Sequence, residues 1–498
     1  MSLLDADGIV VRDGTTPLVS RLSLRLDPGE PLIVLGETGS GKSVLAQAVM
    51  GTLPRGLRAE GRVAIDGRVL DASDARGFRA LWGRKIAVLP QEPWLSLDPL
   101  MRAHRQVEEA LHLVRGLPAR ESRARARTEL VALGLAGAET RYPHELSGGM
   151  AQRVSIAAAR AGGARVVVAD EPTKGLDTAR RDEVADLLLS ETGGDGGLLV
   201  ITHDLALARR LGGRLMVLRA GEVVETGDTA EVFAVPRAAY TRELIAADPE
   251  SWPARRSTAR GGDAVVRAEG LAVARGGRTL FRDVAFEIGP GAVFGVTGPS
   301  GCGKSSLGDA VLGLVSGTEG RVWRQGRDAR TFQKLYQDPV AAFPRKRPLG
   351  ESIGDVARLA GVERGRIDVM LERLGLDPVL LSRRPDAVSG GELQRLALLR
   401  VLLVNPAFVF ADEPTSRLDP ITQASVITLL GETAERDGVA IMLVSHDGAL
   451  IRGTADAVLS LGGEDGTSGT GSAPVVDAPV VDAAGVNATG AAGRFVRG

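Results

Sequence analysis

Cysteine is nearly absent from this chain of 498 residues, Cys302 being the only one. That excludes a disulfide framework, a zinc ribbon and a cysteine-ligated iron–sulfur cluster. It fits a reducing, cytoplasmic setting. Excess charge of one sign is missing too: 61 Lys and Arg face 62 Asp and Glu. Without a global basic field, no nucleic-acid partner is expected. Lysine is scarce, at 6 of the 61 basic residues. No uncharged apolar run approaches the length of about 18 residues needed to span a bilayer. The nearest is Leu396–Ala411, interrupted by Arg400, Asn405 and Pro406. It reads as a helix end, a turn and a buried strand. The opening MSLLDADGIVV has neither a basic nor a long apolar region, so no secretory signal is expected.

What is present is a repeat. GETGSGKS at Gly36–Ser43 recurs as GPSGCGKS at Gly298–Ser305. LSGGMAQR at Leu146–Arg153 recurs as VSGGELQR at Val388–Arg395. VVVADEPT at Val166–Thr173 recurs as FVFADEPT at Phe408–Thr415, and VITHD at Val200–Asp204 as LVSHD at Leu443–Asp447. Ser147 precedes Asp170 by 23 residues, and Ser389 precedes Asp412 by the same 23. Kept order and kept spacing mean a tandem duplication of one domain. The first domain is expected over 1–248 and the second over 263–463. The stretch 249–262, PESWPARRSTARGG, reads as a linker. The Gly/Ala-rich tail 464–498 is expected to be disordered.

Short apolar runs alternate with helical segments, which predicts α/β domains with mostly parallel sheets and helices on both faces. Strands are expected at Pro31–Leu35, Val166–Ala169 and Leu198–Thr202, and at Val293–Thr297, Phe408–Ala411 and Ala440–Ser445. Helices are expected at Ser43–Met50 and Ser305–Leu312. The basic segment Arg115–Arg127 reads as a solvated helix face.

The pattern G-x-x-x-x-G-K-S between a strand and a helix is a phosphate cradle. Its glycines let successive N–H groups converge, and the helix N-terminus favours an anion. The first cradle is Gly36, Glu37, Thr38, Gly39, Ser40, Gly41, Lys42 and Ser43. The second is Gly298, Pro299, Ser300, Gly301, Cys302, Gly303, Lys304 and Ser305. Lys42 and Lys304 would reach the β- and γ-phosphates, and Ser43 and Ser305 would ligand Mg²⁺. Asp170 and Asp412 end apolar strands and suit coordination of that ion through water. Glu171 and Glu413 follow as candidate general bases.

The second repeated motif carries a resemblance. Ser147-Gly148-Gly149 and Ser389-Gly390-Gly391 are similar to the signature of the nucleotide-binding domains of ATP-binding cassette (ABC) proteins. The resemblance covers about 2–463. It implies two P-loop domains, each with an antiparallel β subdomain and a helical signature subdomain. It implies ATP hydrolysis with Mg²⁺, in a head-to-tail pair where each signature faces the other domain's cradle. By the same resemblance, Gln91 and Gln337 are the Q-loop glutamines at the metal and γ-phosphate. His203 and His446 are switch histidines, and Asp177 and Asp419 belong to the D-loops at the domain pair's interface.

Two departures from the family follow. The windows Ile9–Val19 and Leu271–Thr279 contain no aromatic residue to stack on adenine. Lysine and Q-loop glutamine are separated by 49 positions in the first copy and 33 in the second, so the second antiparallel subdomain should be trimmed.

The stretches Gln91–Leu111, Gln337–Ile353 and Pro236–Pro249 are similar to the peptide/nickel importer branch. That implies a peripheral ATPase on the cytoplasmic face of the membrane. Its partners would be two transmembrane permease subunits and, indirectly, an extracytoplasmic solute-binding protein. Two alternatives are a soluble twin-cassette ATPase acting on ribosomes or nucleic acid, and the ATPase of an efflux or vitamin-uptake system. The short linker and the missing zinc cysteines argue against the first. The Q-loop stretches and Tyr240-Thr241-Arg242 argue against the second.

Overall fold

A computed structural model describes residues 2–89, 96–174, 178–255, 262–316, 319–326, 328–462 and 480–481. The chain forms two compact units, Met1–Ile245 and Ala246–Gly498.

In the first unit a six-stranded sheet runs in the order Glu222–Asp228, Arg214–Arg219, Leu32–Leu35, Gly197–Thr202, Val166–Asp170, Ile86–Leu89. Only the first pair is antiparallel. The central strands are continuous apolar runs, and their side chains are buried on both faces, as a parallel sheet requires. A four-stranded antiparallel sheet (Thr16–Leu26, Leu4–Asp13, Leu57–Ile65, Arg68–Asp71) packs over the first cradle helix, Lys42–Met50. A helical layer includes Ala103–Glu109, Ala119–Ala132 and Gly148–Arg160. Ser122, Ala126 and Leu130 form the buried stripe of the basic helix and turn its arginines outward.

The second unit repeats this plan. Its parallel sheet runs Phe332–Leu335, Phe408–Asp412, Ala440–Val444, Val293–Thr297, Ala457–Ser460, Val480–Val481. The antiparallel sheet has three described strands where the first unit has four, as the shorter lysine-to-glutamine spacing predicts. Val480–Val481, in the tail expected to be disordered, pair in parallel with Val458–Leu459. The rest of 463–498 lies outside the described residues.

The expected linker differs in its first half. Residues 249–255 belong to the second unit. Trp252 packs on that unit's core and approaches Gly453, and its Nε1 donates to Ala246 O at 3.2 Å. Arg255 is nearly buried between Asp456, at 3.2 Å, and Glu435, at 3.3 Å. A composition rich in Pro, Arg and Gly conceals this, because one indole and one paired guanidinium suffice to dock the segment.

The first unit's two layers are joined at an Asp-Gly hairpin. Asp66 and Gly67 both have positive φ, 47° and 80°, as such a tight turn requires. The Asp66 carboxylate pairs with Lys85 and with Arg165 Nη1 at 2.7 Å, tying the antiparallel sheet to the start of two main-sheet strands. The hydrogen bond from Lys85 holds its pKa below the ordinary value against a smaller opposing effect of burial. Asp66→Asn tolerates the same backbone and should cost about 1–3 kcal/mol at neutral pH. Because the folded pKa is depressed, this contribution is present above the unfolded value and is lost as pH falls through the folded one. Thermal unfolding of the two proteins should therefore converge toward acid pH. A gap unchanged from pH 7 to pH 3 would contradict it.

Candidate functional site

Each cradle sits where a strand ends and a helix begins. Gly36 and Gly298 leave no room for a side chain. A Cβ there would lie 2.3 Å from Leu218 O and 2.2 Å from Leu461 O. The loop folds round its own lysine. Lys42 Nζ donates to Gly36 O at 2.7 Å and Glu37 O at 2.8 Å, and Lys304 Nζ to Gly298 O at 2.8 Å and Pro299 O at 3.0 Å. Both ammonium groups are buried and solvated by backbone carbonyls. Thr38, Gly39, Ser40 and Gly41, and Ser300, Gly301, Cys302 and Gly303, complete the two turns.

Ser43 Oγ donates to Asp170 Oδ1 at 3.3 Å, and Ser305 Oγ to Asp412 Oδ1 at 3.0 Å. Burial raises both aspartates' pKa values. Each hydroxyl–carboxylate pair offers hard oxygen donors only. No cluster of three or more acidic, His or Cys side chains able to cage a metal occurs among the described residues. A short oxygen set fits Mg²⁺, which keeps several waters and takes substrate phosphate oxygens.

Glu171 and Glu413 adopt left-handed backbone, φ 48° and 46°. For a non-glycine residue that is costly, and the same strain at both duplicated positions marks a functional turn. Parallel pairing sets Asp170 beside Ile201 and Asp412 beside Val444, so the histidine after each neighbouring strand arrives at the glutamate. His203 Nδ1 lies 2.7 Å from Glu171 Oε2, and His446 Nε2 lies 2.5 Å from Glu413 Oε1. Burial pushes the Glu171 carboxyl up. The His203 hydrogen bond and charge, with Lys42, outweigh it and hold the pKa below its ordinary value. Gln337 Nε2 donates to Glu413 Oε2 at 2.9 Å.

Gln91 and Asp177 lie outside the described residues. Asp419 caps the helix Pro420–Asp437, accepting from Thr422 N at 3.0 Å. Ser147 and Ser389 each cap a 13-residue helix, with Gly148-Gly149 and Gly390-Gly391 in the first turn. The signature helices are tied to their own unit's site. Gln152 Nε2 donates to Pro172 O at 3.1 Å, and Gln394 Nε2 to Tyr336 O at 3.4 Å.

Two residues beside the sites were not assigned a role there from sequence. Tyr240 Oη accepts from the cradle amide of Glu37 at 3.0 Å, with Arg219 stacked 4.7 Å over its ring. Lys334 stands beside Asp412. Tyr240 lies in the Tyr240-Thr241-Arg242 stretch of the branch resemblance, which does not point to the cradle, and Lys334 belongs to no repeated motif. The only signal for Lys334 is a lysine in the short strand Phe332–Leu335 that leads to Gln337, in a chain with few lysines.

The family model described as ABC transporter matches residues 19–174 and 281–416. The chain is 34% identical over 482 residues to the peptidoglycan transport ATP-binding protein YejF of Agrobacterium fabrum, covering 89% of this chain and 87% of that one. It is 32% identical over 499 residues to the glutathione import ATP-binding protein GsiA of Salmonella typhi, covering 87% and 80%. Among solved structures, the archaeal ribosome recycling factor aABCE1, in complex with the ribosomal stalk protein aP1, matches with a TM-score of 0.63. It is 22% identical, over 92% of this chain and 88% of that one, a likeness of fold alone.

Proposed function

The chain belongs to the ABC transporter family as a twin-domain importer ATPase, and we propose that it powers a permease for peptides, nickel or a related small solute. The observation that carries this reading is the completeness of both copies. Each unit keeps the buried cradle lysine, the serine–aspartate pair and the strained glutamate against its histidine. The cargoes named for the two relatives favour peptide-like solutes. Glutathione is a peptide and peptidoglycan carries peptide stems.

In this reading the two units sandwich two ATP molecules. One site comprises Gly36–Ser43, Gln91, Asp170, Glu171 and His203, completed by Ser389-Gly390-Gly391. The other comprises Gly298–Ser305, Gln337, Asp412, Glu413 and His446, completed by Ser147-Gly148-Gly149. Asp177 and Asp419 line the interface. The cradle amides and lysine bind the β- and γ-phosphates. Ser43 with Asp170, and Ser305 with Asp412, would hold Mg²⁺, which when bound neutralises charge developing on the phosphoryl oxygens. Glu171 and Glu413 orient water and take its proton as it attacks. His203 and His446 hold those carboxylates in place and face the γ-phosphate. A signature serine and two glycine amides at a helix N-terminus close over that phosphate from the opposite side.

No described helix is long and apolar enough to cross a membrane. In this reading the importer relatives, not that absence, assign the permease to separate subunits. In the first unit a groove of about 500 Å³ is lined by Val88, Leu97, Asp98, Met101, Gln106 and Ser155. We assign it to a cytoplasmic segment of the permease. The test is a pull-down from gently solubilised native cells, with the Glu171→Gln, Glu413→Gln chain and ATP. Two multi-span permeases, with or without a solute-binding protein, are the expected recovery. Ribosomes or DNA without a membrane protein would overturn the assignment.

A further inference from the structure

One half-buried cluster beside the second site has uncharged residues at the corresponding first-unit positions. Lys334 lies on the edge strand Phe332–Leu335, paired with Phe410. Its Nζ is 2.7 Å from Asp309 Oδ1 and 3.6 Å from Asp412 Oδ2, and it sits 5.1 Å from the Phe410 ring centroid. Ser305 Oγ holds the other Asp412 oxygen. The carboxylate is therefore engaged on both oxygens, one by a hydroxyl and one by a cation.

The surroundings are built for this lysine. Phe410 gives the ammonium an aromatic face. Gly308 makes room for that ring, because a Cβ there would lie 2.1 Å from Phe410 Cζ. Asp309, on the cradle helix Lys304–Leu312, anchors the ammonium from the other side. The corresponding first-unit residues are Val88, Val168, Ala46 and Gln47, all uncharged, with Val88 paired to Val168 in the same register. Lys334 is one of only six lysines in the chain, and two others are the cradle lysines.

We propose that Lys334 makes the second nucleotide site a weaker divalent-cation site than the first, because its ammonium competes with Mg²⁺ for the Asp412 carboxylate. The inference rests on the reading of Asp412 as a metal-site carboxylate. The paired Asp309 adds an opposite charge, so the cluster leaves the site's net charge unchanged. What changes is which cation occupies Asp412 Oδ2. The chain thereby gains one site that takes up Mg²⁺-nucleotide readily and one that does so only at higher Mg²⁺. The two halves need not fire together.

The test reads binding rather than turnover. Mn²⁺ is the probe ion, and a fluorescent ATP analogue reports occupancy of the full-length chain. With the first site disabled by Lys42→Ala, Lys334→Met keeps the stem on Phe410 and removes the charge. It should lower the half-saturating Mn²⁺ about tenfold, a half-buried charge contact at this distance being discounted for solvent and for Asp309. Asp309→Asn frees the ammonium to swing onto Asp412, and should shift half-saturation the opposite way. With the second site disabled by Lys304→Ala, neither substitution should have an effect. Equal half-saturation at the two sites, or no shift with either substitution, overturns the inference. A shift of the same sign for both also overturns it, since loss of packing alone would produce that. Nucleotide binding by the wild-type chain that ignores Mn²⁺ altogether would instead overturn the metal-site reading of Asp170 and Asp412.

Discussion

ATP turnover by the Glu171→Gln, Glu413→Gln chain is expected to fall by about 10²–10⁴-fold, the usual contribution of a positioned general base. ATP binding should persist. Glutamine has the same shape and the same backbone demand as glutamate, so the left-handed turn survives the change. It also keeps a side-chain oxygen to accept a hydrogen bond from His203 or His446. What it loses is the ability to accept a proton from the attacking water. Each glutamate belongs to a short chain of contacts, Glu171 to His203, and Glu413 to His446 and Gln337. The histidines would stay near their positions while the chemistry stops. Phosphate release measured beside nucleotide binding separates these effects. Turnover within a few-fold of wild type would remove both glutamates from the role of base. A parallel loss of binding would mean that they hold nucleotide instead.

The parts of this molecule that were legible in the sequence are those whose physics is local. A strand, a glycine-rich turn and a helix starting at lysine occupy consecutive residues, so Gly36–Ser43 and Gly298–Ser305 are visible without any tertiary information. The duplication supplied a second reading of every motif. The apolar strands ending at Asp170 and Asp412 were legible because strands buried on both faces carry continuous apolar runs. The glutamate–histidine pairs are different. Their contact depends on which strand neighbours which, and only the observed register brings His203 to Glu171. Recurrence at equivalent repeat positions marked the two histidines as functional, and the family resemblance supplied their role. Lys334 was not legible as a site residue, since its meaning depends on Phe410, Asp309 and Asp412, which lie far from it in the chain. Trp252 and Arg255 were hidden by their neighbours. A stretch of Pro, Arg, Ser and Gly averages to a linker, although a buried ion pair and an indole dock its first half.

Lysine replacement separates the two sites by counting. The wild-type chain should bind two ATP molecules. Lys42→Ala and Lys304→Ala should each bind one, and the double variant none. Each ammonium is buried and makes two hydrogen bonds to carbonyls of its own loop. Burying such a charge is expensive unless it is fully solvated by protein, so the loop carbonyls are spending their dipoles on the lysine. An arriving phosphate brings stronger charge-assisted bonds and keeps the ammonium paired. Alanine removes that partner from the phosphates and also the peg around which the loop closes. Affinity at the altered site should drop by about 10²-fold or more, as for a lost buried charge pair of about 3–5 kcal/mol. The unit itself should still fold, because Leu45, Ala48 and Val49 of the cradle helix remain packed in the core. Stabilisation by nucleotide tests the same point, since ligand at about 100 times its Kd raises stability by about 2.7 kcal/mol only where it binds. Equilibrium dialysis that still found two ATP per chain in either single variant would show that these lysines do not hold the phosphates. None in either single variant would show that one ATP cannot stay without the other, which is the behaviour of a sandwich closed by both.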